Sequence, residues 1–421
     1  MRAVHRASWR SGDVWIISVS AFFADLGYQA VLAGFPLFLV FTLHQPAWVF
    51  GLASALSYGG GAFFSFAGGR LGDRVGHRSL ALAGNAVIPL LSLCALVANP
   101  VWAIGMLTGG WWARNLRTPS RRVMLVDAVP AEADRSAAFG FLHALDVGGG
   151  ALAGGYVLVA LVAHVPFRWI FLATAIPLIA STLVLSRTHV GGSRPASPRA
   201  SASDDPMSLP PPGARSLLAA AALYGFTYYS VGFPVLTVAQ GSGRLLAGIG
   251  AFLVLQATSA LTGYALGSRL GAGPAAQFAR LGVLGYLGAA VGAGVIAIGS
   301  GEHVGLAVTL VGVAVIGFAL GIVETLEPAA MSVLRPGARA GRGFGALSAS
   351  RSVGTFVGNL VMGLLYGVSV PLAYGYAAVV AAIAGVIVLS TLPPLRTWEH
   401  TRDRSTCRDG GGGGPNGALP Q

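Results

Sequence analysis

Gly68-Gly69-Arg70-Leu71-Gly72-Asp73-Arg74-Val75-Gly76-His77-Arg78 is a short hydrophilic stretch set between two apolar runs. Helices that reverse direction across a bilayer within so few residues need small residues for the tight turn, and arginines beside it hold the turn on the cytoplasmic side. Asp73, at the start of the following helix, suits that helix's positive end and any neighbouring helix that starts on the same side. The stretch predicts a membrane hairpin with a charged cytoplasmic turn.

The composition agrees. The 421 residues are 54% hydrophobic and only 10% charged, with a mean hydropathy of +0.69, far more apolar than a soluble domain. All 27 basic residues are arginine. Without lysine there is no Gly-Lys-Ser/Thr phosphate loop and no Schiff-base amine, which argues against an ATP-driven pump in one chain and against imine chemistry. The net charge of +12 does not point to nucleic acid, because the arginines stand mainly in short segments between apolar runs, where they set orientation. Cys94 in an apolar run and Cys407 near the C-terminal end match no metal spacing. No metal, cofactor or enzymatic activity is expected.

A membrane-spanning helix needs about 20 apolar residues. Twelve stretches meet that measure, and the expected fold class is an all-α integral membrane protein. Residues 1–186 hold six, at roughly 14–43, 48–68, 79–98, 101–123, 136–163 and 167–185. Residues 187–215, rich in Pro, Ser and Gly, read as a disordered cytoplasmic linker. Residues 216–395 hold six more, at roughly 216–239, 245–268, 278–299, 304–333, 344–367 and 372–392, and residues 396–421 read as a disordered tail. Arg2, Arg6 and Arg10 precede an apolar run too long for a cleaved signal, so the first helix is expected to remain. With the N-terminus inside, nearly all loop arginines become cytoplasmic, as does the C-terminus; Arg168 and Arg244 alone fall near outer ends.

The halves repeat each other. Leu71-Gly72-Asp73-Arg74-Val75-Gly76 returns as Leu266-Gly267-Ser268-Arg269-Leu270-Gly271, and Phe139-Gly140 returns as Phe344-Gly345, an alignment that sets Asp146 opposite Arg351.

Ionisable groups inside a bilayer cost several kcal/mol unless partnered or facing a polar cavity, so each is a functional candidate. Asp25 lies about 18 Å into the first helix by helical rise, with Gln29 one turn on. Arg114, Arg117 and Arg121 form a stripe on the fourth span, and Glu324 and Glu327 another on the tenth. His143 and Asp146 stand one turn apart on the fifth, where a structural hydrogen bond competes with a proton relay. On the seventh, Tyr224, Tyr228 and Tyr229 offer an aromatic, hydrogen-bonding wall or interfacial anchors.

The opening stretch resembles the G-x-L-G-D-R-x-G-R-R loop of the major facilitator superfamily of secondary transporters, departing from it only at His77. The resemblance implies two six-helix halves, a pathway lined by helices 1, 4, 7 and 10, and a cytoplasmic charge latch. On that basis Gly69, Gly72, Asp73, Arg74, Gly76, Arg78 and Arg351 are assigned to the cytoplasmic gate. Phe22-Phe23-Ala24-Asp25, Phe35-Pro36-Leu37-Phe38-Leu39 and Arg117-Thr118-Pro119-Ser120-Arg121-Arg122 are similar to a bacterial branch of the family, with Gln29 and Arg122 where that branch has Glu and Asp. Gly150-Ala151-Leu152-Ala153-Gly154-Gly155 is similar to the antiporter signature G-P-x-x-G-G without its proline.

These resemblances imply a monomeric transporter of the bacterial inner membrane. Asp25, Asp146, Glu324 and Glu327 are then the proton-coupling candidates, and Gln29, Arg114, Arg117, Tyr224 and Tyr228 line the substrate pathway. The expected partners are the lipid bilayer, protons and a small organic solute. Export by proton exchange is the leading expectation, uptake by the same fold the next, and a receptor or enzyme on this scaffold the alternative of another class.

Overall fold

A computed structural model describes residues 11–129, 132–190, 212–227, 231–270, 275–301, 305–334 and 340–409. Among the described residues all regular structure is helical. α1 (Gly12–Leu37) starts where the Ser11 hydroxyl accepts the Val14 amide at 3.4 Å, and past Pro36 it runs into a π turn at Phe38–Thr42. α2 (Ala47–Ser54), a π turn and α3 (Gly60–Val75) make one column. Gly76, at φ 92°, then reverses the chain into α4 (His77–Val87), which tightens to a 3-10 segment at Ile88–Leu93. That backbone conformation favours glycine, as the opening stretch required.

α5 (Pro100–Ala128) begins with Pro100 at its first turn and with Asn99 accepting the amides of Val101 and Trp102 at 2.8 and 3.1 Å. α6 (Glu132–Val162) and the broken column α7 (Phe167–Ala173) and α8 (Ala175–Leu185) complete the first half. The second comprises α9 (Pro212–Thr227), α10 (Gly232–Ser242), α11 (Leu245–Leu270), α12 (Ala275–Gly299), α13 (Leu306–Leu334), α14 (Ala340–Val368) and α15 (Val370–Asp409).

Eight stretches of the described residues are long and apolar enough to cross a bilayer. The other four expected spans miss that measure for visible reasons. α5 carries Arg114, Asn115 and Arg117, α14 carries Arg342, Arg351 and several serines, the α4 column gives way to a 3-10 segment, and α9 stops at Thr227 before α10 begins at Gly232. Outward-facing Val101, Ile176, Leu183, Phe63 and Val368 are all well exposed, an apolar exterior that suits lipid.

Two boundaries need correction. Arg187–Val190, assigned to the linker, stays on the first half, where the His189 amide bonds Asp13 at 2.9 Å. The tail assigned to disorder from Arg396 continues α15 as far as Asp409; no Gly or Pro interrupts it before the run at Gly410–Gly414.

Among the described residues, the apolar core is shared by the two halves at one end and separate at the other. Towards the turns at His44 and His164, Tyr28, Phe35, Trp111 and Phe171 of the first half share one cluster with Phe233, Phe252 and Tyr374 of the second. Glycines allow this approach: a Cβ on Gly51 of α2 would stand 2.7 Å from the Gly363 Cα of α14. Towards the Gly76 turn, Val14, Ile17, Met124 and Leu185 form a core of the first half alone, and Leu217, Tyr286, Leu326 and Val388 one of the second.

Candidate functional site

The buried polar groups of the first half converge midway along α1 and α5. Asp25 is 5% exposed and accepts a short hydrogen bond from the Tyr28 hydroxyl one turn on. Its other oxygen has no partner among the described residues. α6 reaches this point because Gly149 lacks a side chain; a Cβ there would stand 2.5 Å from the Phe22 carbonyl and 3.1 Å from the Asp25 Cβ. The Arg114 guanidinium lies over the rings of Tyr28 and Trp111, 5.0 and 4.6 Å from their centroids, and donates to the Tyr28 oxygen at 3.4 Å. Tyr58 packs edge-on against Trp111 with centroids 5.0 Å apart.

Arg117 does something else. It is fully buried and donates to Asn85 of α4 at 2.8 Å. Asn85 donates in turn to Ser181 of α8 at 2.9 Å, which meets Ser20 of α1. Arg117, a candidate for the substrate pathway, ties four columns of one half together. Arg121, one turn towards the Gly76 end, pairs with Asp146 of α6 at 3.5 Å.

The second half carries a counterpart. Glu327 of α13, 2% exposed, accepts short hydrogen bonds from Tyr286 of α12 and Arg351 of α14. Tyr224 of α9 packs edge-on against Tyr286, 5.2 Å between centroids. Arg351, a candidate for the cytoplasmic gate, pairs here with Glu327. Glu324 is exposed. Between the halves, Gln29 of α1 and Gln256 of α11 both lie against Gly150.

At the hairpin, Gly72 packs where a side chain would meet His77 and Ser120, while space around Gly69 is open. Arg74 is exposed. Arg78 donates to the carbonyls of Thr188 and Ser186 at 2.9 and 2.7 Å, fastening the turn to the end of α8. The side chain of Asp73 and the whole of Tyr228 and Tyr229 lie outside the described residues.

Asn85, Ser181, Trp111, Tyr286 and Gln256 were not anticipated. Asn85 and Gln256 had a legible signal, an amide inside an apolar run.

By sequence, the family model described as Major Facilitator Superfamily matches residues 17–334. The chain belongs to the major facilitator superfamily. A POT family transporter in complex with a thioalcohol-conjugated peptide superposes on this superfamily member with a TM-score of 0.74, at 12% identity, over 91% of this chain and 96% of that one. A variant of the nucleoside transporter NupG gives 0.70 at 13% identity over 90% and 99%. An inward-facing, unoccupied bacterial homologue of the human lysosomal transporter Spinster gives 0.65 at 12% identity over 92% and 96%. Such likenesses carry the fold alone. No curated protein matches the chain by sequence. As a superfamily member it is a multi-pass membrane protein of the transport kind, and the ion pairs Arg121–Asp146 and Arg351–Glu327 each stay within one half.

Proposed function

We propose that this superfamily member is a proton-coupled secondary transporter of a small organic solute. It crosses a bacterial inner membrane twelve times with both termini cytoplasmic, acts as a monomer without cofactor, and alternates the exposure of a site between its halves. The observation that carries this is Asp25, a carboxylate midway along α1, 5% exposed, with one oxygen on Tyr28 and the other unpartnered among the described residues. An acid so placed is costly to hold charged, which makes it a natural proton carrier.

With the Gly76 end cytoplasmic, halves joined towards His164 and separate towards Gly76 describe an inward-open state. Closure then brings Gly69, Gly72, Asp73, Arg74, Gly76 and Arg78 against the second half as the gate. Glu327 and Asp146 serve as secondary proton sites through their arginine partners, Glu324 faces the opening, and Gln29, Arg114, Tyr224 and Tyr228 line the path.

Export by exchange is favoured by the glycines of α6, with Gly149 on α1 and Gly154 on Phe252 and Leu253 of α11. Uptake with the proton is favoured by Arg114, whose described surroundings hold no carboxylate at ion-pair distance. Proteoliposomes loaded with a pH dye and challenged with a metabolite panel test the function. Solute-dependent proton flux is expected; its absence for every solute that crosses the membrane would remove proton coupling.

A further inference from the structure

We infer that Arg114 is the docking point for a carboxylate on the solute, and that proton uptake at Asp25 tightens this docking, so that solute and proton bind together. The inference deepens the proton-coupled reading and rests on it for its role in transport, not for the binding itself.

Three arginines stand on this wall against two carboxylates, and a proton on Asp25 leaves them against one. Arg114, Arg117 and Arg121 of α5 face Asp25 of α1 and Asp146 of α6. Arg121 has Asp146 at 3.5 Å. Arg117 is sealed behind Asn85 with no exposure, out of reach of a solute. Arg114 differs from both in being only half-buried; like theirs, its Nε has no partner among the described residues. Its polar contact among the described residues is a 3.4 Å bond to the Tyr28 hydroxyl oxygen, a neutral acceptor where Arg121 has a carboxylate. Two aromatic rings hold the head in place, and its Nη groups are the donors left to meet a carboxylate.

Tyr28 joins the two functions. Its hydroxyl hydrogen goes to Asp25 and its oxygen receives Arg114, so a charged Asp25 balances Arg114 through a single side chain. A proton on Asp25 removes that balance in a medium where unpaired charge is expensive. A solute carboxylate at Arg114 restores it. The groups facing Asp25 are Tyr28 on its own helix, Arg114, Arg117 and Arg121 on α5, and Asp146 on α6, with His143 exposed one turn away. α8 and α10, also packed on α1, carry no titratable residue, and α11 contributes the neutral Gln256. By linkage, each ligand strengthens the other by the same factor.

The test is binding to the purified full chain in nanodiscs by calorimetry, with benzoate, phenylacetate and octanoate, each against its neutral amide. Measurements run between about pH 8 and pH 6, above the range in which these acids themselves protonate. At least one carboxylate is expected to bind at least about tenfold tighter than its amide, and tighter as pH falls. Asp25→Asn should bind it tightly at every pH, and Arg114→Gln should lose the preference for carboxylate over amide, with Arg114→Lys retaining part. Circular dichroism and elution volume keep a misfolded variant from being scored. No carboxylate preferred over its amide, affinity that weakens on acidification, or pH dependence that persists in Asp25→Asn would each overturn the inference. Proton flux is measured separately: binding without flux removes the transport reading and leaves the anion site, and flux without carboxylate preference removes only the site.

Discussion

Arg351 on α14 holds Glu327 on α13 at the place where, in the first half, Asp146 on α6 is held by Arg121 on α5. With Phe344-Gly345 aligned on Phe139-Gly140, the fifth-span acid of one half has become the arginine of the other. Each half thus fastens the same two helices, with the charges exchanged.

Removing one member of the second pair leaves its partner unpaired. Glu327→Gln should lower stability by about 3 kcal/mol, because Arg351 and Tyr286 both lose their charged acceptor. Thermal unfolding in detergent measures this. The exchange Glu327→Arg with Arg351→Glu should recover part of the loss; a double variant no better than the worse single one would show that Tyr286, and not the ion pair, governs the site.

Asp25→Asn keeps nearly the same volume and a hydrogen bond to Tyr28, so insertion and thermal stability should be preserved while proton-driven accumulation falls to the passive level. Solute exchange across proteoliposomes without a pH gradient should persist. Accumulation equal to wild type at matched protein would make Asp25 structural.

Asn85→Ala strips Arg117 of its described partner and Ser181 of a donor. A destabilisation of about 2 kcal/mol is expected from a buried cation left without its acceptor. Because Arg117 is fully buried against Asn85, solute affinity should change little. A large loss of affinity with unchanged unfolding temperature would return Arg117 to the substrate path.

Gly363→Val should disfavour the joined end. A Cβ on Gly363 would stand 2.9 Å from the Gly51 Cα, and backbone cannot yield as a flexible side chain can. Cysteines placed near His44 and His164 should label faster in the variant from the side of the membrane that these turns face. Unchanged labelling would mean that α2 and α14 separate without cost.

Features governed by local chemistry were legible in the chain itself. Long apolar runs demand lipid, because no other solvent tolerates them uncovered. Gly76 had to adopt a left-handed backbone, since a turn that tight admits little else. Asp25 stood out because a carboxylate amid apolar residues is rare for a physical reason. The partners of the arginines were not legible. Arg117 and Arg114 lie on one helix one turn apart with the same side chain, yet one is sealed by Asn85 and the other open beside Tyr28 and Trp111. Spacing along α5 is the same for both; the difference arises from helices distant in sequence. Periodicity could not sort them either, because a membrane helix is apolar on its lipid face and on its packed face alike, so the pattern that marks the interior of a soluble helix is missing. Which arginine is sealed and which is left half-exposed, and at which end the described cores of the two halves merge, were decided only when the helices packed.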